Sequence, residues 1–129
     1  MDNPYRALWE QPVLDFWSIP HLLSGVIFFF LFRSYKIHPV LGFVANVAIA
    51  VLWEVFEKTT GVSSREYFTN HLADIVLATA GYTLAIFMSD LVPSDRIRNR
   101  IFWTAVGAFS TSCLIGILSA NLAQASLLR

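Results

Sequence analysis

Apolar residues along this chain fall into four long blocks separated by short polar stretches. The blocks lie at about residues 16–32, 39–56, 72–92 and 101–122, and the first contains the unbroken run Val26-Ile27-Phe28-Phe29-Phe30-Leu31-Phe32. A helix needs roughly 20 mainly apolar residues to cross a bilayer, with a range of about 17–25. Each block therefore predicts one crossing, and the expected fold is all-α: an integral membrane bundle of four transmembrane helices in a single domain. Pro39 suits the first turn of the second helix, and Pro93 stops the third. The linkers are too short to hold a soluble domain. Residues 1–15, with Trp9 and Leu14, are expected to lie along the membrane surface.

Composition agrees with this pattern. The chain is 56% hydrophobic and 14% charged, against about 45–50% and about 25% for soluble domains. Nine basic and nine acidic residues leave no net charge to draw nucleic acid. Cys113 is the only cysteine, which excludes an intrachain disulfide and a cysteine metal site. The chain opens with Asp2, Arg6 and Glu10 and lacks the basic-then-apolar order of a cleaved signal peptide. Trp17, Trp53 and Tyr67 fall near one predicted interface, and Tyr35 and Trp103 near the other. Arg6, Lys58, Arg65 and Arg129 lie on the side of the termini, and Arg33, Lys36, Arg96, Arg98 and Arg100 on the opposite side. The richer side is expected to face the cytoplasm, which puts both termini outside a bacterial-type inner membrane.

Ionisable residues within predicted spans are costly, and so mark functional candidates. They are His21 in the first helix, Glu54 and Glu57 in the second, and His71 and Asp74 opening the third. Up-and-down connectivity puts all five at one depth, in one leaflet. Glu54 and Glu57 are three residues apart, as are His71 and Asp74, so each pair shares a helix face. Small or polar stripes accompany them: His21-Ser24-Gly25, Asn46-Ala50-Glu54 and Asp74-Ala78-Gly81-Ala85. Facing one another, these stripes predict a tight bundle with a polar pocket at one end.

Carboxylates with imidazoles are ligands for a divalent metal such as zinc, iron or manganese, and all five residues are candidates for that role. The same groups could act as general acid and base on a lipid-linked or amphiphilic ligand, with Glu54, Asp74 and His21 catalytic. Arg65, Glu57 and His71 would then bind the ligand, Arg65 holding a phosphate. The spacing is not the Glu-x-x-His repeat of di-iron bundles. Structural roles compete with these. Glu54 and Lys58 are spaced for a helix ion pair, Glu57 could end its helix, and His71 could be an interfacial side chain. Asn70 could cap the third helix, with Asp74 in its first turn, and Ser63 with Glu66 fits a capping box. His38, in a loop before Pro39, suggests no role, and Cys113 suggests packing.

His21, Trp53-Glu54, Glu57, Arg65, Asp74 and Gly81, in that order, resemble the pattern of the VanZ-like membrane proteins and the related YjdF-type group. The resemblance covers about residues 16–85. It implies a small polytopic bundle, linked in some members to glycopeptide resistance, with no settled reaction. The asparagine usual four residues after the aspartate is Ala78 here, and a further glycine is Ala85, so activity depending on that asparagine is not implied.

A different class of function is also open. Ala108, Ser112, Gly116 and Ala120 recur every four residues, a face on which another membrane helix could pack. The chain would then be a non-catalytic subunit of a membrane complex, with the polar cluster as internal glue.

Overall fold

The computed structural model describes residue 14 and residues 16–60, 68–92 and 94–127, with side chains as far as residue 118. Arg65, Tyr67, the Ser63–Glu66 pair and all but Leu14 of the surface segment lie outside the described residues. Four helices and no strands are present among those described: α1 (Ser18–Ser34), α2 (Pro39–Thr60), α3 (Phe68–Leu91) and α4 (Asp95–Leu127). By length and composition α2, α3 and α4 are long and apolar enough to cross a membrane. α1 has 17 residues, about 25 Å at 1.5 Å per residue, against about 30 Å of bilayer hydrocarbon.

At several ends the helices outrun the apolar blocks because backbone hydrogen bonding tolerates polar residues there. α2 continues four residues past Phe56, where Thr59 and Thr60 hydroxyls donate back to the Phe56 carbonyl. α3 begins at Phe68, so Asn70 is an interior residue, buried at 1% exposure, and not the cap. The α1–α2 turn closes through Lys36 in the left-handed region (φ 58°). His38 starts α2: its carbonyl accepts from Gly42 N–H, and its ring Nδ1 accepts from Val40 N–H at 3.3 Å. That residue, unremarkable in the sequence, is a helix cap.

The shortest helix is the central one. α1 packs on α2, α3 and α4, and α3 packs also on α2. Two glycines set the α1–α3 contact. A Cβ on Gly25 would run into the Ala78 carbonyl of α3, and one on Gly81 into the Leu22 carbonyl of α1. The backbones themselves are in contact, as small residues permit at membrane helix crossings. One end of the bundle is filled by Val26, Phe29, Phe30, Tyr82, Ala85 and Ala105. Tyr82 is fully buried, edge-on to Phe29 and Phe43, and its hydroxyl donates to the Pro39 carbonyl at 3.1 Å.

Burial is inverted relative to a water-soluble protein. The buried positions of α2 are Gly42, Asn46, Ala50 and Glu54, while Val40, Val44, Val51, Leu52, Val55 and Phe56 are exposed. Asp74, Asn70 and Ser89 are buried on α3, while Leu72, Val76, Leu84 and Phe87 are exposed. On α4, Ser112 and Gly116 of the four-residue stripe face inward, Gly116 against the Trp17 ring, whereas Ala108 is exposed. At those two buried positions the small residues serve packing within this chain. Straight four-residue spacing drifts around a helix of 3.6 residues per turn, which is why Ala105, and not Ala108, continues the buried face.

Candidate functional site

The site is assembled by three consecutive helices at the end opposite the phenylalanine core. α1 enters with Ser18 and His21 in its first turn, α2 brings Glu54 and Glu57 near its end, and α3 brings His71 and Asp74 in its first two turns. The alternating direction of the helices puts these segments at one level, and the Gly25–Gly81 contact holds α1 and α3 close enough for short side chains to meet.

His21 sits between two carboxylates: its Nε2 is 3.7 Å from Glu54 Oε1 and 3.8 Å from Asp74 Oδ2. His71 Nδ1 and Glu54 Oε2 share a hydrogen bond at 2.6 Å, so Glu54 is bonded from α3 while its other oxygen faces His21 of α1. Ser18 Oγ donates to Asp74 Oδ1 at 2.9 Å. Glu54, His71 and Asp74 are buried, His21 and Glu57 half-buried. A carboxylate in such surroundings is tolerable only with close donors or opposite charge, and the imidazoles and the serine supply them. Glu57 stands one turn beyond Glu54. One ligand atom each from His21, Glu54 and Glu57 lie within 4.8 Å of one another.

Next to the cluster is a cavity of about 240 Å³, walled by α1, α2, α3 and α4. That is just below the roughly 300–1,000 Å³ of common small-molecule sites. Its wall is mainly apolar and aromatic, with Phe28, Trp53 and Phe109 among its residues, but His21 and Glu57 also line it. So does Asn46, 1% exposed, whose Nδ2 donates to the Ala78 carbonyl while its Oδ1 has no donor among the described residues. A larger cavity, about 480 Å³, lies at the other end near Arg33, Asp95 and Arg98. There Arg98 is already bound to Asp95 and to the Val92 carbonyl.

All five ionisable residues singled out in the sequence are thus brought together, and Arg65 lies outside the described residues. The structural alternatives fare differently. Glu54 turns inward to His71 while Lys58 is exposed, Glu57 lies inside a helix that continues to Thr60, and His71 is buried against Glu54 and not a solvated side chain. Ser18, three residues before His21 on the same helix face, joins the cluster without a sequence signal of its own, because a lone serine in an apolar block carries little. Cys113 and Trp17 line the cavity, which helical spacing within one segment could not reveal. No family model matches the sequence, and no curated protein or solved structure is significantly similar to it.

Proposed function

We propose that this chain is an integral membrane bundle in which α1 crosses together with the three longer helices, and that its His/Glu/Asp cluster binds and processes an amphiphilic or lipid-linked ligand. Inverted burial supports the first part. Exposed valines, leucines and phenylalanines over buried Asp, Glu, His and Asn are favourable in lipid, where internal polar groups have nowhere else to find partners. The central α1, short of the bilayer thickness, is matched by local thinning or by its flanking residues. The arginines and lysines of the Arg33–Lys36 and Arg96–Arg100 segments, five against four on the other side, support a reading with the cytoplasm on that side and the cluster in the outer leaflet of a bacterial-type inner membrane.

One observation carries the ligand reading: His21 and Glu57 belong both to the charged cluster and to the wall of the apolar cavity. A ligand with an apolar chain between Phe28, Trp53 and Phe109 would present its polar end to those two residues. The short His71–Glu54 hydrogen bond supplies a carboxylate–imidazole pair able to take up and return a proton, the equipment of general acid–base chemistry. The VanZ-like resemblance rests on residues of the same cluster and fits this reading.

Cys113, the sole cysteine, reports cavity occupancy. In detergent-purified protein, single-chain amphiphiles with anionic or zwitterionic head groups are expected to slow maleimide labelling of Cys113 at concentrations below their micellar threshold. Glu57→Gln is expected to shift that protection. Labelling equally fast with and without every amphiphile tried would rule the cavity out as their binding site.

A further inference from the structure

We propose that His21, Glu54 and Glu57 bind a divalent transition-metal ion of the zinc, manganese or iron(II) class. The inference uses the same cluster as the ligand reading and extends it with a cofactor, but it stands or falls on metal binding alone.

Geometry is the first ground. The three ligand atoms come from two helices packed on one another and lie within 4.8 Å of each other, with His21 Nε2 and Glu54 Oε1 at 3.7 Å. Metal–oxygen and metal–nitrogen bonds of about 2.1 Å put tetrahedral donors roughly 3.4 Å apart. Closing from separations of at most 4.8 Å needs up to about 1.4 Å, a shift within reach of rotation of the half-buried Glu57. Asp74 Oδ2, 3.8 Å from His21 Nε2, stands at the edge of the same shell.

Support around the ligands is the second. Metal-binding carboxylates and imidazoles are fixed by outer hydrogen bonds that set their orientation. Here His71 holds Glu54 by one oxygen and leaves the other directed toward His21, and Ser18 does the same for Asp74. The second carboxylate oxygens of Glu54 and Asp74 both face the one imidazole nitrogen of His21, which is the convergence of donors that an ion would use. Asn46 is the third ground. It is buried in the wall shared with His21 and Glu57, and its side-chain oxygen lacks a donor among the described residues. A polar species held beside the cluster would provide one. Mixed imidazole and carboxylate donors select borderline ions over magnesium or calcium, which prefer all-oxygen shells.

The test is equilibrium dialysis of the full chain in detergent against zinc, manganese and magnesium, read by elemental analysis. Visible absorption after cobalt(II) loading serves as a second readout. Wild type is expected to retain zinc or manganese stoichiometrically and to show cobalt bands of a nitrogen-and-oxygen shell. Glu57→Gln, half-buried and the gentlest change, is expected to weaken binding by about 10–100-fold, and His21→Ala to abolish it. His71→Ala, acting through Glu54, is expected to weaken it about 10–100-fold and shift the cobalt spectrum. Helical content by circular dichroism identifies variants that fold. Wild type that retains no ion, or folded His21→Ala and Glu57→Gln proteins that bind as wild type does, would overturn the proposal. Cys113 labelling on the metal-free protein separates the two ideas: protection by amphiphile without metal leaves the cavity reading standing while this one fails.

Discussion

Replacing Gly25 by alanine tests whether the α1–α3 contact sets the site. The new Cβ would meet the Ala78 carbonyl oxygen, and would lie 2.7 Å from Tyr82 N and 2.9 Å from Ala78 C. Carbon contacts are comfortable near 3.5–4.0 Å, so the two backbones must part by roughly 1 Å. The obstacle is backbone on a packed helix and cannot rotate away, which puts the cost at the upper end of overpacking, about 3 kcal/mol. At about 1.4 kcal/mol per decade this is roughly a hundredfold in the folding equilibrium. The damage reaches the site, because His21 stands one turn from Gly25 and Asp74 one turn from Ala78. Parting the helices lengthens the 3.8 Å His21–Asp74 separation. Gly107→Ala is the control: nothing lies within 4 Å of its Cβ, so helix propensity alone should stabilise by about 1 kcal/mol. Unfolding both variants with denaturant in mixed micelles measures the difference. Equal stability of Gly25→Ala and Gly107→Ala would refute the close crossing.

Four other outcomes are expected. Tyr82→Phe loses the bond to the Pro39 carbonyl and costs about 1 kcal/mol. Gly42→Ala drives its Cβ into the same hydroxyl, so it should be milder by about 1 kcal/mol in the Tyr82→Phe background; strict additivity in that double-mutant cycle would contradict the contact. Ser18→Ala removes the donor to buried Asp74 and should cost about 2 kcal/mol, a loss that an unfolding midpoint unchanged from wild type would disprove. Asn46→Asp sets a further carboxylate beside the cavity and should tighten divalent-ion retention without weakening helix content, whereas unchanged retention would place Asn46 outside the ion's reach.

The division between sequence and fold follows from what local pattern can encode. Four apolar blocks determined four helices, because hydrophobic length and the need to satisfy backbone polar groups act within each segment. The alternation of helix direction was enough to put His21, Glu54, Glu57, His71 and Asp74 at one level, and helical spacing put the Asn46-Ala50-Glu54 and Asp74-Ala78-Gly81-Ala85 stripes inside. Helix ends depart from the apolar blocks: α2 runs on to Thr60 and α3 starts at Phe68, since polar side chains at helix ends cost the backbone ladder nothing. Pairing was decided only by tertiary structure. That His71 takes Glu54, that Ser18 takes Asp74, and that Gly116 receives Trp17 from the head of α1 depend on helix rotation and on which neighbours α1 has. The cavity shared by His21, Glu57 and Cys113 likewise exists only between helices, because periodicity places a residue on a face of its own helix but not opposite a residue of another.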